Sequence, residues 1–204
     1  MSDEGAGGDE SRIPMDPFFH SMETSRAFSE CSRCGHGLGG NGEGESSEYL
    51  IYKVYGKRDL SMEFAICRRC CLDAQEVTSA ESKAAIEKYF NESLMLGYIR
   101  RLARRPGGGG FDLESAIGGC SCCGDDLTRP GDEHTIVARC QGSTMETTIF
   151  PLVMCEACEK EVDGLLSEKT RDEWDRFMGE LVNDPVPGNE MELPQKPKRP
   201  RILV

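Results

Sequence analysis

The sequence predicts an α+β fold made of two tandem copies of one small module. Each copy has a CxxC knuckle, a β-hairpin, a second CxxC pair and a helix. Cysteine spacing carries the prediction, because CSRCG at Cys31 returns as CSCCG at Cys120, an offset of 89 residues. Likewise CRRC at Cys67 returns as CEAC at Cys155, an offset of 88. Such self-similarity at a fixed distance is typical of an internal duplication.

Matched chemistry continues beyond the cysteines at the same offset of 88 residues. Residues 82–89, SKAAIEKY, align with residues 170–177, TRDEWDRF. In this alignment a base falls on a base twice, an acid on an acid, and an aromatic residue on an aromatic residue at the end. We therefore interpret both segments as the same part of a repeated unit.

The segments between the paired cysteines predict hairpins. In copy one YLIYKVY and LSMEFAIC are rich in β-branched and aromatic residues and flank the turn GKRD. In copy two EHTIVARC and TTIFPLVMC flank QGSTME, and Pro151 is expected to interrupt the second strand. A helix is predicted after each second pair, because apolar residues recur there in steps of three and four. They are Ile86, Tyr89, Phe90, Leu94, Tyr98 and Leu102 in copy one and Trp174, Phe177, Met178, Leu181 and Val182 in copy two.

The amino-acid composition predicts a small hydrophobic core and a cytoplasmic location. Hydrophobic residues make up 38% of the 204 residues and aromatic residues 7%. We therefore expect the fold to need stabilising interactions besides its hydrophobic core. No apolar run approaches the roughly 20 residues that span a bilayer, and the acidic start MSDEGAGGDESR lacks the features of a secretory signal. We therefore expect a cytoplasmic protein without a membrane partner, in which CxxC pairs hold metal more often than they form disulfides.

Two CxxC pairs in each copy supply four thiolates, the ligand set of a structural zinc site. The expected cofactors are two Zn²⁺ ions, one for each copy, although pairing across the copies is an alternative. The second pair is expected at the start of a helix, where the N-terminus favours thiolate charge. The predicted ligands are Cys31, Cys34, Cys67 and Cys70 in copy one and Cys120, Cys123, Cys155 and Cys158 in copy two.

The remaining three of the eleven cysteines have no counterpart in the other copy. Cys122 occupies the position of Arg33, and Cys71 that of Glu159, while Cys140 falls near Tyr52. A zinc–thiol redox sensor is one hypothesis for these spare thiols. Inert packing is the simpler interpretation, since thiol reactivity depends on a pKa that spacing does not reveal.

The arrangement resembles the treble-clef and zinc-ribbon group of zinc modules, in which a CxxC knuckle precedes a β-hairpin. In the treble clef the second CxxC then lies at the entrance of a helix. The resemblance rests on the eight cysteines, covers about residues 31–90 and 120–178, and implies a fold group rather than a functional family.

The predicted organisation has five parts. The ends of the chain and the run RPGGGG suggest tails and a linker by their composition. The parts are a disordered acidic tail over 1–29, zinc module 1 with a long C-terminal helix over 30–105, a Gly-rich linker over 106–110, zinc module 2 over 111–183, and a Pro-rich basic tail over 184–204.

Charge favours a protein partner over nucleic acid. The net charge is −12, and residues 111–182 alone carry sixteen acids and six bases. Closed metal sites and the lack of a catalytic motif predict a non-enzymatic protein-interaction or regulatory module. The competing hypothesis is nucleic-acid binding by an arginine-rich surface of module 1. Its candidate residues are Arg68, Arg69, Arg100, Arg101, Arg104 and Arg105.

Overall fold

The computed structural model describes most of the chain between residues 11 and 182. It gives backbone and side chains for 11–39, 48–57, 59–94, 111–129 and 131–182, and the backbone alone for 95–104. The predicted linker over 106–110, the tail over 184–204 and residues 1–10 lie outside the described residues.

Both helices and an antiparallel sheet are present, so the predicted α+β class is confirmed. Among the described residues before the Gly-rich segment (106–110) are three strands, a 3₁₀ helix at Pro17–Phe19 and two α-helices. The elements are β1 (Arg12–Pro14), β2 (Glu48–Tyr55), β3 (Leu60–Cys67), α1 (Arg68–Val77) and α2 (Ala80–Arg104).

After that segment the chain repeats the plan with a short additional helix at its start. The elements are α3 (Leu113–Ile117), β4 (His134–Gln141), β5 (Thr144–Glu146), β6 (Leu152–Cys155), α4 (Glu156–Leu165) and α5 (Glu168–Val182). Each second CxxC pair is therefore followed by two helices, whereas the sequence analysis predicted one. No helix among the described residues is long and apolar enough to cross a membrane.

The hairpins of the two copies join in one six-stranded sheet, where the sequence suggested two separate modules. The strand order is β1-β5-β4-β2-β3, and β6 also pairs with β4. At the centre the first strands of the two copies pair antiparallel, from Glu48 opposite Gln141 to Tyr55 opposite His134. Residues 49–54 of β2 are all buried, and a strand this apolar needs a partner on both edges and cover on both faces.

The second strand of copy two is broken, which follows from its proline. β5 pairs with the end of β4, and β6 pairs with its beginning, while residues 147–151 lie between them outside the ladder. Proline cannot donate a ladder hydrogen bond, so Pro151 precedes β6 rather than lying inside it. The turn is also tighter than QGSTME suggested, because β4 runs to Gln141 and β5 begins at Thr144.

Residues 11–29 belong to the fold, although the sequence analysis assigned them to a disordered tail. β1 pairs with β5, with Ile13 opposite Met145, and Phe19 is fully buried in the core. Lys53 of β2 is 1% exposed. Its ammonium donates to the His20 carbonyl at 2.9 Å and to Glu63 at 2.6 Å. These contacts fasten the segment to the sheet, because a buried ammonium needs partners.

Of the two helices that follow the second CxxC pair in each copy, the first packs against the second of the other copy. Helix α1 packs on α5 of the other copy, and α2 packs on α4. The helix starts meet in a symmetric hydrogen-bond cluster: Ser79 N–H donates to Thr170 Oγ1 at 3.0 Å, and Ser167 N–H donates to Ser82 Oγ at 2.9 Å. Ser79 and Ser167 also accept from the N–H groups of Ser82 and Thr170 in their own helices, as N-caps do. The positions correspond at the offset of 88, so the cluster lies at the centre of an approximate two-fold arrangement.

Candidate metal centres

Each first CxxC pair lies in a tight turn that ends on glycine. Gly35 N–H donates to the Cys31 carbonyl at 2.9 Å, and Gly124 N–H donates to the Cys120 carbonyl at the same distance. The two glycines have φ values of +68° and +78°, a region that side-chain-bearing residues rarely adopt. The glycine after each pair is thus required by the turn that brings both sulfurs to one side.

A serine in each knuckle fixes it to the second strand of its own hairpin. Ser32 N–H donates to the Ala65 carbonyl at 2.8 Å, and Ala65 N–H donates back to Ser32 Oγ at 3.1 Å. Ser121 and Val153 make the same reciprocal pair at 2.6 and 2.9 Å. Because Ala65 and Val153 lie two residues before a cysteine, this register places each knuckle beside the second CxxC pair.

The eight paired cysteines form two groups of four, and each group lies within one copy. In each group the sulfur atoms all lie within 4.8 Å of one another. The Sγ–Sγ separations are 3.7 Å for Cys31–Cys70, 3.8 Å for Cys34–Cys67, 3.8 Å for Cys120–Cys158 and 3.7 Å for Cys123–Cys155.

These separations fit zinc. A tetrahedron with zinc–sulfur bonds of about 2.3 Å places its sulfurs about 3.8 Å apart. A disulfide would need sulfurs at about 2.05 Å, and none of the eleven cysteines forms one. Two sets of four cysteine sulfurs are therefore present, each with the spacing to hold one metal ion.

Electrostatics within each group also favours a cation. Burial opposes ionisation of Cys31, but hydrogen bonds that include Cys67 N–H, at 3.4 Å, lower its pKa to about 7. Burial and the neighbouring sulfurs raise the pKa of Cys70. In copy two, hydrogen bonds from neighbouring thiols lower the pKa of Cys120, and the same contacts raise that of Cys155. A divalent cation would supply the positive charge that favours the thiolate form where burial and neighbouring sulfurs oppose it, as at Cys70 and Cys155.

The second pair of each group spans the start of a helix. Cys67 and Cys155 are the last residues of β3 and β6, and Cys70 and Cys158 lie in the first turns of α1 and α4. Helix N-termini favour negative charge, so the thiolates gain from this position. Three cysteines of each group are buried, while Cys34 is exposed and Cys123 half-buried.

Each group of four cysteines lies beside the last helix of the other copy, which is α5 for the first group and α2 for the second. Around the first group, Arg33 donates to Asp73 at 2.9 Å and to Glu180 of α5 at 3.1 Å, and its guanidinium lies 4.3 Å from the centre of the Phe177 ring. Burial opposes the charge of Arg33, but Glu180 and the nearby Cys70 sulfur raise the pKa of its guanidinium. The first group thus has a cation close to its sulfurs.

The second group has neutral groups at the equivalent positions. Cys122 stands where copy one has Arg33, and it is 5% exposed beside the sulfurs of Cys120 and Cys158. Tyr89 of α2, the counterpart of Phe177, donates its hydroxyl to Glu161 at 3.0 Å, and burial together with Cys158 and Glu161 raises its pKa. The two groups therefore share their sulfur geometry and differ in the charge that surrounds it.

The three spare thiols are not members of the two groups of four, although Cys122 lies beside Cys120, and all three are buried. Burial raises the pKa of both Cys71 and Cys140 to about 12. The hydrogen bond to Cys120, together with burial, raises the pKa of Cys122 to about 12. Protonated, buried thiols react slowly, which favours inert packing over the redox-sensor hypothesis.

The arginine surface proposed for nucleic acid is described only in part. Arg68 and Arg69 are exposed in the first turn of α1. Arg100, Arg101 and Arg104 lie in α2, where the backbone alone is described, and Arg105 is outside the described residues. Nucleic-acid binding through these residues stays a prediction.

Sequence reasoning missed two features of the sites. The anchoring serines could have been found, since Ser32 and Ser121 are the same residue in the aligned knuckles. Arg33 gave no such signal, because its partner Glu180 lies 147 positions away in the chain.

Comparison with known proteins finds no matching family model, no matching curated protein and no matching solved structure. The function of the chain is therefore inferred from the geometry of its sites.

Proposed function

We propose that the protein is a non-enzymatic zinc protein whose two four-cysteine sites are structural, and that it acts by binding other proteins. The observation that carries the proposal is the pair of four-sulfur sets, in which two Sγ–Sγ separations per set are 3.7–3.8 Å and all sulfurs lie within 4.8 Å of one another. Tetrahedral sets of four thiolates suit zinc or iron, and a site of this kind in a reducing compartment is typical of structural zinc.

A structural role follows from the closed ligand set. A catalytic zinc keeps one position open for water or substrate, whereas four cysteines occupy all positions of a tetrahedron. Each set also ties together the knuckle, the end of a strand and the start of a helix. Zinc would thus fix the fold of each copy without taking part in chemistry.

The order of elements supports a treble-clef-like assignment for each copy. In both, the knuckle is followed by a hairpin, and a helix begins directly after the third cysteine of the set, at Arg68 and at Glu156. The proposed protein is then two such units fused through their first strands into one sheet.

Metal content tests the proposal. We expect the purified protein, kept reduced throughout, to contain two zinc ions per chain by elemental analysis. Cys67→Ser and Cys155→Ser should each lower the content to about one, because a set with three sulfurs binds zinc weakly.

The matched control is Cys71→Ala, which removes a neighbouring buried thiol outside the sets and should leave two zinc ions. Protein that contains neither zinc nor iron would contradict the proposal. Iron in place of zinc would show that the sites bind metal but that the proposed metal is wrong.

A further inference from the structure

A groove of about 280 Å³ lies between the start of β2 and helix α1, and we name it the α1 groove. Leu72 and Ile149 form its apolar wall, Phe150 forms its floor, and Glu48, Arg68 and Arg139 lie at its polar side. It is separate from the sulfur sets, although Arg68 and Leu72 also border the surface beside the first set.

The apolar wall is unusually exposed for this protein. Leu72 is 46% exposed and Ile149 41%, and they are two of the four large hydrophobic residues found exposed among the described ones. Phe150, at 3% exposure, forms the floor between them. Apolar side chains clustered at a concave surface mark a site where another molecule binds.

The polar side carries excess positive charge. Glu48 lies near three arginines, at 3.9 Å from Arg12, 3.7 Å from Arg68 and 3.4 Å from Arg139. Arg139 also reaches Glu146 at 3.6 Å, so three bases face two acids in a protein of net charge −12. The Arg68 and Arg139 side chains are 60% and 42% exposed, which leaves guanidinium N–H groups accessible to a partner.

The corresponding surface of helix α4 in copy two lacks the exposed leucine and the arginine. At the offset of 88, Arg68 and Leu72 correspond to Glu156 and Lys160 of α4, and Gln75 corresponds to Asp163. The metal-binding scaffold therefore does not require an apolar, basic groove beside its first helix. The difference between the copies indicates a function of this surface beyond the fold.

We propose that the α1 groove binds a segment of another protein that carries an apolar side chain flanked by carboxylates. The apolar side chain would pack between Leu72 and Ile149, and the carboxylates would accept hydrogen bonds from Arg68 and Arg139. This inference deepens the proposed protein-binding function by naming its surface and the chemistry of its partner. An acidic segment is favoured over nucleic acid because the exposed apolar wall of Leu72 and Ile149 suits an aliphatic or aromatic side chain and offers nothing to a phosphate backbone.

The test is selection from a random-peptide phage library on the zinc-loaded full chain, followed by affinity measurement with an enriched synthetic peptide. We expect enriched sequences to combine an apolar residue with adjacent Asp or Glu. Arg68→Glu and Leu72→Ala should each weaken binding about tenfold or more, as loss of a charged or apolar anchor does. Lys160→Glu and Glu156→Gln, at the equivalent positions of α4, should leave the affinity unchanged.

Each variant is checked for two zinc ions and an unchanged melting temperature, so that misfolding is not taken for lost binding. If the enriched peptides bind the Arg68→Glu and Leu72→Ala variants as tightly as the wild type, the α1 groove is not their binding site, although the protein still binds peptides. Failure to enrich any peptide would also overturn the proposal. Binding of a single-stranded DNA oligonucleotide that Arg68→Glu abolishes, with no such effect on peptides, would assign the surface to nucleic acid instead. Loss of the proposed function itself would appear separately, as absence of metal from the wild-type chain.

Discussion

Exhaustive chelation under reducing conditions is expected to abolish the cooperative thermal unfolding of the protein. Structural zinc contributes roughly 10 kcal/mol or more to each site in zinc-finger peptides, while a whole domain is stable by only about 5–15 kcal/mol. Without the ion, each set would leave closely packed thiols, among them Cys70 and Cys155, whose ionisation is opposed by neighbouring sulfurs and by burial. Circular dichroism during a thermal scan, before and after chelation and after zinc is returned, measures the effect.

Single substitutions sharpen this prediction. Cys155→Ser, which removes a ligand from the second set, should lower the melting temperature strongly and make it insensitive to further zinc. Cys71→Ala, the matched control, removes a buried thiol that no set uses, so its cost should be that of a small cavity, about 1–2 kcal/mol. A chelated protein that keeps a sharp transition near that of the zinc-loaded form would contradict a structural role for the metal.

The second large effect is expected when the two copies are separated. Residues 1–105 and 111–204, produced as individual chains with zinc, should fail to fold cooperatively. Separation exposes the β2–β4 seam, where Ile51 and Tyr52 are fully buried, and burial of such a side chain contributes about 1.5–3 kcal/mol. It also removes the contacts of α1 with α5 and of α2 with α4.

Mixing the two chains should restore a folded one-to-one complex, because the pieces retain complementary strands and helices. Size-exclusion chromatography and thermal scans of each chain, and of the mixture, measure this. The uncut protein is the control. A single copy that binds one zinc and melts cooperatively on its own would show that the shared sheet is dispensable.

The cysteine sets were largely predictable from sequence because their determinants are local or repeated. The spacing within each CxxC pair fixes which sulfurs share a turn, and the glycines at positions 35 and 124 mark where that turn ends. The repeat then identified Cys122 as the extra thiol of GCSCCGD, and the structure indeed places it outside the set of four.

The joining of the copies was not predictable in the same way. The run YLIYKV in β2 is apolar at nearly every position, which is typical of a central strand, but it does not say which strand lies beside it. That partner, β4, is distant in the chain. The serine cluster at the helix starts shows the same limit, since Ser79 and Thr170 meet only after both copies are folded.

The folding of residues 11–29 is not predictable from their composition alone. Residues 11–29 are polar on average, yet Ile13 and Phe19 are positioned to pack against the sheet. A few apolar residues suffice to hold a segment when an exposed sheet edge and a buried Lys53 both need partners.

X-ray absorption spectroscopy at the zinc edge of the metal-loaded protein tests the central claim most directly. Two independent four-cysteine sites predict four sulfur ligands for each zinc at about 2.3 Å, with no nitrogen or oxygen ligand. A first shell with fewer than four sulfurs, or one completed by nitrogen or oxygen, would contradict it.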